Sequence, residues 1–410
     1  MTDTNRELSR REFVAAALGG LATAGLVTLT PGIARAEDTK PAASVASKDG
    51  TIRRKLGRTG LEVPVVSMGA GACNDPNLVQ ACYEAGMRLF DTAASYAFGR
   101  NEQMISNVIS KLGVRDKAIY LTKGFTSQQR AAISDHAKIE TTVRSSVEGS
   151  LKRLKTDYAD VVCLYDVREA ATMRDSAIND AFAKMKQEGK ARYLGISTHA
   201  DMANVINATV EAGIYDVIVT SFNFTMANDT ALLTAITNAA QKGVGIVAMK
   251  VLAGGGRFPN PETLRSYSGQ VINSAALKWV LHNENIATTI PGIANFDHLR
   301  ANFAVAKSID YTEEESRFLV DNNLTLGMEF CRQCRKCLAS CPHKADIPNL
   351  MRTHMYAAQY ADFALARHTL DEIPRTHGLL NCSSCSSCVA RCANSVNIGR
   401  KIDELKLIYG

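Results

Sequence analysis

The chain has 410 residues, of which 46% are hydrophobic, and its formal net charge is +6 at pH 7. Its basic residues form no stripe interleaved with aromatic side chains, so nothing in the composition points to nucleic acid. Eight of the eleven cysteines lie in two runs near the C-terminus. The other three, Cys73, Cys82 and Cys163, are expected to be buried or in loops.

The first 36 residues have the features of a twin-arginine signal peptide. The motif SRREF at 9–13 is followed by an uncharged stretch over residues 13–34 and by Ala-Arg-Ala at 34–36, which has the form of a signal cleavage site. The sequence therefore predicts a periplasmic or otherwise exported protein, carried by the twin-arginine export machinery. A chance Arg-Arg before an ordinary secretory signal or a membrane anchor is the alternative. Because Ala and Gly make the stretch only weakly apolar, cleavage is favoured and no stable membrane insertion is expected afterwards.

A repeating pattern of strands and helices follows the signal. Residues 37–51 are polar and are predicted to form a flexible linker. Eight apolar, β-branched runs then each precede a helical segment, which predicts an α/β fold, a (β/α)8 TIM barrel, over residues 52–310. A doubly wound open sheet is the alternative, but no G-x-G-x-x-G follows the first run. The runs lie around residues 63–70, 88–94, 118–123, 159–165, 191–197, 215–223, 245–252 and 286–292.

Polar residues stand at the ends of three of these runs. Asp91 and Tyr96 follow the second, Lys123 ends the third, and Tyr165 with Asp166 ends the fourth. In a barrel of this kind the chemistry is expected at the C-terminal ends of the strands.

Residues 52 to about 307 resemble the aldo-keto reductase family. The resemblance runs through RRKLGRTGLEVPVVSMG, FDTAASYAFGRNE, LTKG, SLKRLKTDYADVV, EGKARYLGIS, GVGIVAMKVLAGG and IPGIANFDHLRAN. It implies an oxidoreductase that acts on a small carbonyl or alcohol substrate and uses NAD or NADP.

The resemblance makes Tyr96 the candidate catalytic proton donor. A ketone that accepts hydride develops negative charge on oxygen, so a proton donor must reach that oxygen. Lys123 beside the phenol is expected to lower the phenol's pKa, while Asp91 holds Lys123 in place. The alternative is a structural ion pair of Asp91 and Lys123, with Tyr96 packed nearby. Tyr165 stands where the family usually has a histidine that orients the carbonyl, and a phenol cannot become a cation near neutral pH.

The implied nicotinamide site departs from the family pattern. Met249 replaces the aromatic residue on which the ring usually stacks. Thr198 and Val219 replace amide-bearing contacts to the carboxamide, whereas Ser197 is retained. The cofactor pocket is therefore expected to be altered.

The implied contacts to the rest of the nucleotide are also changed. Gly292, Ile293 and His298 stand where many relatives supply Lys, Ser and Arg to the 2′-phosphate of NADP, so NADP is expected to have no large advantage over NAD. Asn302 matches the adenine-contacting asparagine. Gly254 opens a triple glycine, which is either a close approach to the pyrophosphate or a mobile loop.

The segment after the barrel carries the two cysteine runs, each spaced C-x2-C-x2-C-x3-C. In this pattern three thiolates hold one [4Fe-4S] cluster and the fourth cysteine holds another. Residues 311–410 are therefore predicted to form a small, mainly helical ferredoxin-like domain with two [4Fe-4S] clusters. A zinc site and a disulfide framework are the alternatives. The predicted ligand sets are Cys331, Cys334, Cys337 and Cys392 for one cluster, and Cys382, Cys385, Cys388 and Cys341 for the other.

Three further features belong to this segment. TEEE at 312–315 predicts a capping box that opens a helix, and the apolar stretch 347–373 is predicted to pack against the barrel.

Residues 331–410 hold eleven Lys or Arg against six Asp or Glu. This excess of positive charge is expected to stabilise the reduced state of a nearby cluster and to attract an acidic redox partner protein. The alternative is that these charges only form an ordinary solvated surface. The segment resembles the iron-sulfur extension found on one branch of the aldo-keto reductase family.

Two functions stay open. The first is an exported oxidoreductase that acts on a carbonyl or alcohol, with the clusters relaying electrons. The second is an electron-transfer or binding protein whose barrel no longer turns over nicotinamide. Nicotinamide delivers two electrons as hydride whereas each cluster takes one, so direct exchange ordinarily needs a flavin, and no flavin signature is visible.

Overall fold

A computed structural model describes residues 45–46, 49–126, 129–130, 132–253, 267–327 and 330–410, with the backbone alone for 45–46 and 321–327. All of these belong to one unit of the chain, residues 39–410. The predicted signal peptide and most of the predicted linker lie outside the described residues. No helix within the described ranges is long and apolar enough to cross a membrane.

A small antiparallel sheet precedes the barrel. Its strands are β1 (Val45–Ala46), β2 (Ile52–Lys55) and β3 (Glu62–Pro64), with β2 in the middle. β1 falls within the predicted linker but pairs with β2, so this end of the linker is held by a backbone ladder instead of being free. Thr51, also in the predicted linker, is fully buried, and its hydroxyl accepts a hydrogen bond from Lys307 at 2.7 Å.

Eight parallel strands then form the predicted barrel. Strands that are consecutive in the chain are neighbours in the sheet, and each is parallel to the next. The Ser67 N–H donates to the Thr289 carbonyl at 2.8 Å, and the Thr289 N–H donates to the Val65 carbonyl at 2.9 Å, which closes the sheet. The (β/α)8 prediction is confirmed. The strands are β4 (Met68–Gly69), β5 (Leu89–Asp91), β6 (Ile119–Thr126), β7 (Ala159–Tyr165), β8 (Ala191–Thr198), β9 (Val217–Ser221), β10 (Gly245–Met249) and β11 (Ile286–Thr289).

Helices connect the strands around the outside of the barrel. The first begins as predicted, with Asp75 accepting a hydrogen bond from the Asn77 N–H and Pro76 in the first turn. The helices are α1 (Pro76–Ala85), α2 (Arg100–Leu112), α3 (His136–Leu154), α4 (Ala170–Met173), α5 (Ser176–Gln187), α6 (Met202–Ala212), α7 (Thr230–Gln241), α8 (Gly269–Leu281) and α9 (Phe296–Ala304).

The strands bury both of their faces. Leu121 and Val161 belong to an apolar cluster inside the barrel, whereas Tyr120 and Val162 belong to the larger cluster beneath the helices. Side chains alternate between the two faces because successive residues of a strand point in opposite directions. The interior is thus a packed core, which leaves the C-terminal ends of the strands, the barrel mouth, as the place for a site.

The C-terminal domain is mainly helical, as predicted. It begins with α10 (Glu313–Gly327), whose capping box forms: the Glu315 N–H donates to the Thr312 hydroxyl at 3.2 Å, and the Thr312 N–H donates to the Glu315 carboxylate at 2.7 Å. The remaining helices are α11 (Ile347–His354), which continues into a π-helical turn at Met355–Gln359, α12 (Phe363–Asp371) and α13 (Ile398–Tyr409).

Candidate active site and cysteine sites

Three of the predicted catalytic residues come together at the barrel mouth. Asp91 ends β5, and Lys123 lies on the neighbouring strand β6. The Lys123 Nζ lies 2.5 Å from the Asp91 Oδ1 and also donates to the Thr92 carbonyl at 2.8 Å. Both side chains are buried, and the same Nζ lies 5.2 Å from the centroid of the Tyr96 ring. The site therefore holds a buried ion pair against a phenol.

A strained turn positions Tyr96. Ala97 and Phe98, the next two residues, have φ values of 48° and 57°, in the left-handed region that non-glycine residues rarely adopt. The Tyr96 ring lies against Gly71, where an added Cβ would be 3.2 Å from the ring. The absence of a side chain at residue 71 thus allows the ring to lie close to the end of β4.

The pKa of Tyr96 shifts in the direction opposite to the prediction. Burial raises the pKa of the phenol well above its ordinary value, and the negative charge of Asp91 raises it further. Lys123 does not reverse this, because its ammonium is already paired with Asp91 at 2.5 Å. The prediction of a lowered pKa is wrong, and the phenol of Tyr96 is neutral in this site.

Tyr165 reaches the same region from the end of β7. Burial raises its pKa well above the ordinary value, and the neighbouring Tyr96 is the next cause. Two neutral phenols therefore face the barrel mouth. Each of them can donate a hydrogen bond to a bound oxygen.

A buried network that the sequence did not reveal joins the C-terminal domain to the barrel. Arg352 on α11 donates from Nη1 and Nη2 to the two carboxylate oxygens of Asp166, at 3.0 and 3.2 Å. Arg168 lies 2.7 Å from the same carboxylate, and the Nδ1 of His199 lies 3.1 Å from it. Burial alone would raise the pKa of Asp166, but Arg352 and Arg168 hold it well below its usual range. Asp166 is thus a buried anion that holds two guanidinium groups.

A second contact between the domains joins Lys250, just after β10, to the C-terminal domain. The Lys250 ammonium donates to the Tyr356 hydroxyl and lies 4.4 Å from the centroid of its ring. Burial lowers the pKa of Lys250 to about 8. Tyr356 lies in the π-helical turn after α11, so α11 and this turn cover the barrel mouth. The predicted packing of residues 347–373 against the barrel agrees with this position.

The predicted nicotinamide contacts are largely occupied by the protein itself. The Ser197 hydroxyl accepts from the Asp166 N–H at 3.0 Å, and the Thr198 hydroxyl donates to the Val167 carbonyl at 2.7 Å. Met249 is buried in the cluster inside the barrel. At the ring end of the predicted nucleotide site, both hydroxyls are thus engaged within the protein.

The adenine end of the predicted nucleotide site has an unpaired buried acceptor and an open surface. Asn302 is 2% exposed, and its Oδ1 has no hydrogen-bond partner among the described residues. A Cβ added at Gly292 would meet nothing within 4 Å, so the surface there is open. Ile293 is buried and His298 is exposed. Gly254 lies outside the described residues.

The cysteines form two groups across the two runs. Burial raises the pKa of the Cys331 thiol to about 12, and the nearby Cys337, Cys392 and Cys334 raise it further. The first group therefore contains Cys392 from the second run, as the crossed assignment predicts.

The second group likewise takes one member from the first run. Burial raises the pKa of Cys382 to about 11, and Cys341 is the neighbouring thiol with the largest further effect. A cavity is lined by all four cysteines of this set, Cys341, Cys382, Cys385 and Cys388. Within the described residues, no three His, Cys, Asp or Glu side chains converge on a single metal ion. Four thiols around a cavity fit a cluster, which separates its ligands more widely than a single ion does.

We expect Cys392→Ala to damage the cluster whose other ligands are Cys331, Cys334 and Cys337, and to leave about four of eight iron atoms. Iron and sulfide analysis with electron paramagnetic resonance of the reduced protein measures this. Cys82→Ala, which removes a buried thiol outside both runs, should keep the full iron content. Loss of only the cluster held by Cys382, Cys385 and Cys388 would show that the crossed assignment is wrong.

Comparison with known proteins agrees with both parts of this architecture. Residues 75–319 match the profile of the aldo/keto reductase family, and residues 330–397 match that of a 4Fe-4S dicluster domain. L-galactose dehydrogenase of Arabidopsis thaliana is 28% identical over 290 residues, which cover 63% of this chain and 88% of the relative. The uncharacterized oxidoreductase YqkF of Bacillus subtilis is 24% identical over 301 residues, covering 65% and 95%.

A solved structure gives the same picture of the barrel. The holo form of aldo-keto reductase AKR11C1 from Bacillus halodurans superposes with a TM-score of 0.53 at 24% identity, over 65% of this chain and 95% of that one. At this identity the likeness is one of fold. The family profile covers more than half of the chain, so the resemblance seen in the sequence is confirmed. The chain therefore belongs to the aldo/keto reductase family, as an oxidoreductase with a 4Fe-4S dicluster domain after its barrel.

Proposed function

We propose that the protein is an exported iron-sulfur oxidoreductase that interconverts a small carbonyl and its alcohol at the barrel mouth, with Tyr96 as the proton donor. The observation that carries this proposal is the buried Asp91–Lys123 ion pair, whose ammonium lies 5.2 Å from the Tyr96 ring at the C-terminal ends of the strands. The name of the Arabidopsis relative, a dehydrogenase of L-galactose, supports an alcohol or carbonyl substrate.

The residues of this site divide the work of proton transfer. Tyr96, neutral because of its raised pKa, donates a hydrogen bond to the substrate oxygen and passes its proton as negative charge grows there. Asp91 fixes the Lys123 ammonium in place, and this ammonium, 5.2 Å from the ring, is a cation that the phenolate faces after the transfer. Tyr165 offers a second neutral donor that orients the carbonyl. When bound, the nucleotide supplies hydride and the [4Fe-4S] clusters supply single electrons.

The relative affinity for NADP and NAD depends on the side chains around Gly292. We expect NADP to bind at most about a hundredfold more tightly than NAD, because neither Gly292 nor Ile293 offers a cation to a 2′-phosphate. Arg300, the nearest alternative on α9, is exposed and pairs with Asp297. Calorimetric titration of both nucleotides into cluster-loaded protein measures the ratio. A preference for NADP above a hundredfold, roughly 2.7 kcal/mol, would contradict this expectation.

Two further proposals concern the export route of the protein and its redox partner. The SRREF motif and the Ala-Arg-Ala at 34–36 support export through the twin-arginine pathway, to the periplasm or beyond. Lys336 and Arg391, which lie among the cysteine loops, are exposed and support an acidic redox partner protein.

A second candidate function has its own support. The hydroxyls of Ser197 and Thr198 are engaged within the protein, and α11 covers the mouth. Both features suit an electron-transfer or binding protein whose barrel no longer turns over nicotinamide. Binding of neither NAD nor NADP in the titration would favour this second function.

One experiment tests the main proposal most directly. The exported protein is purified without oxygen, its iron and sulfide are counted, and any nucleotide released on denaturation is identified. We expect about eight iron atoms, for two clusters, and a nicotinamide nucleotide.

Replacing both arginines of the SRREF motif with lysine should leave the precursor in the cytoplasm. A variant that is exported as well as the wild type would rule out the twin-arginine route.

A further inference from the structure

The first group of cysteines lies against the barrel. Phe330, the residue before Cys331, is 4% exposed and belongs to the apolar cluster beneath the barrel helices. The Gln333 carbonyl, two residues after Cys331, accepts a hydrogen bond from the Asp201 N–H at 3.3 Å. Cys331 also lines a small cavity together with three residues at or just beyond the ends of barrel strands, His199, Ser221 and Lys250.

Arg335 adds a second attachment between this cysteine loop and the barrel. Its Nη1 donates to the Arg168 carbonyl at 3.0 Å, and its Nη2 lies 3.2 Å from the Glu169 carboxylate. Arg168 and Glu169 follow the end of β7, which is part of the barrel mouth. Contacts on both sides of the loop therefore hold the first group beside the C-terminal ends of the strands.

The surroundings of the second group of cysteines are different. Every described residue that lines its cavity lies between residues 341 and 406, within the C-terminal domain. The two segments between Cys382 and Cys388 consist, apart from Cys385, of four exposed serines. Leu380 and Val389, on either side of this run, are 73% and 47% exposed. The second group is thus bordered by solvent where the first is bordered by the barrel.

Asn394 provides hydrogen bonds to sulfurs of the first group. Its backbone N–H donates to the Cys392 Sγ at 3.3 Å, and its Nδ2 donates to the Cys334 Sγ at 3.7 Å. With a cluster bound, these thiol sulfurs would be thiolate ligands. Hydrogen bonds to such sulfurs stabilise the more negative, reduced state and so raise the reduction potential. Asn394 therefore favours the reduced state at the first group.

We propose that the two groups form an ordered pair. The second group is the outer site, which exchanges electrons with a redox partner protein, and the first is the inner site, which serves the barrel mouth. Each exchange moves one electron: the partner, a one-electron carrier, is oxidised as the outer site is reduced, and the outer site is oxidised as the inner site is reduced. The order rests on the proposed function in one respect, that both groups hold a [4Fe-4S] cluster.

Electron paramagnetic resonance tests the positions of the two sites without substrate or nucleotide. Cys392→Ala should keep the outer-site signal and Cys385→Ala the inner-site signal, each in the full chain prepared without oxygen. We expect an uncharged dysprosium chelate in the solvent to accelerate the relaxation of the outer-site signal at least about threefold more than that of the inner-site signal. An equal or larger effect on the inner site would overturn the order. About four iron atoms in the wild type would instead contradict the proposed function.

The entry point of electrons is tested with a reduced plant-type [2Fe-2S] ferredoxin as the carrier, in stopped-flow measurements. Cys385→Ala, which lacks the outer-site cluster, should be reduced at least about tenfold more slowly than Cys392→Ala, which lacks the inner one. Dithionite, a small reductant, shows that the remaining cluster of each variant can be reduced. Reduction of Cys385→Ala by ferredoxin as fast as that of Cys392→Ala would overturn the role of the outer site.

Asn394→Leu tests the inner site in a protein that keeps all eight ligands. It removes the side-chain donor to Cys334, so the potential of the inner-site cluster should fall and its ratio of oxidised to reduced form should rise severalfold at a fixed potential. Asn207→Leu, the same change at an exposed position of α6, should shift neither signal.

This shift also replaces the cysteine variants if they do not fold, because it identifies the inner-site signal in the complete protein. The chelate measurement is then made on Asn394→Leu itself. Unchanged potentials at both sites, or a stronger effect of the chelate on the shifted signal, would overturn the proposal.

Discussion

Tyr96→Phe is expected to lower the rate of carbonyl reduction by about 10²- to 10⁴-fold, the loss typical of a missing general acid. The substitution removes only the hydroxyl, and the ring still packs against Gly71, so the fold and the clusters should be kept. The measurement is kcat/KM for aldehydes, with glyceraldehyde as the first test substrate, together with iron content as the control for folding.

Tyr165→Phe separates the two phenols. Because Tyr165 is expected to orient the carbonyl rather than to supply the proton, its loss should cost less than the loss of Tyr96. Unchanged turnover in Tyr96→Phe together with an inactive Tyr165→Phe would transfer the proton donor's role to Tyr165.

The raised pKa of Tyr96 adds a pH signature with a defined sign. Reduction needs the neutral phenol, so ionisation of Tyr96 should not slow it below about pH 10, the ordinary pKa of a tyrosine. Alcohol oxidation needs the phenolate as a base, so its rate should rise with pH over the same range. Tyr96→Phe should abolish that rise. A plateau in the wild-type oxidation rate near neutral pH would instead indicate a lowered phenol pKa.

The sequence predicted the barrel well because its signals are local. Each buried strand appears as an apolar, β-branched run, and β7 lies where it was predicted, at Ala159–Tyr165. Asp91 and Lys123 could be paired in advance because the ends of neighbouring parallel strands meet at the barrel mouth. The direction of the Tyr96 pKa shift could not be predicted, since it depends on burial and on which neighbour takes up the charge of Lys123.

The contacts between the domains could not be predicted for a related reason. Arg352 is 186 residues from Asp166 in the chain, and Tyr356 is 106 residues from Lys250. The apolar spacing of residues 347–373 predicts a face that packs against the barrel, but an arginine on such a helix is ordinarily assigned to the solvent side. The buried carboxylate of Asp166, with Glu372 at 3.6 Å as a second partner, explains why Arg352 points inward.

Loss of the Asp166 carboxylate is expected to have the second large effect, on the stability of the fold. Asp166→Asn should lower the free energy of unfolding by about 3–5 kcal/mol, because it removes the most deeply buried and closest anion of Arg352 and Arg168. The carboxylate that the two guanidinium groups still share, Glu372, lies farther away, at 3.6 and 3.9 Å. Guanidinium denaturation without oxygen, followed by circular dichroism and cluster absorbance, measures the loss. Glu211→Gln, which breaks the exposed Arg174–Glu211 pair, is the matched control and should cost less than about 1 kcal/mol.

A double-mutant cycle and a pH series identify the cause of this effect. Asp166→Asn combined with Arg352→Met should cost less than the sum of the two single changes, since each removes the partner of the other. The pKa of Asp166 is held well below its usual range, so its contribution to stability is complete above the unfolded pKa of about 3.9 and is lost as the pH falls through the lower folded value. The difference between wild type and Asp166→Asn should therefore narrow in acid. A cost no larger than that of Glu211→Gln, or a difference that does not change with pH, would mean that this ion pair does not hold α11 over the barrel mouth.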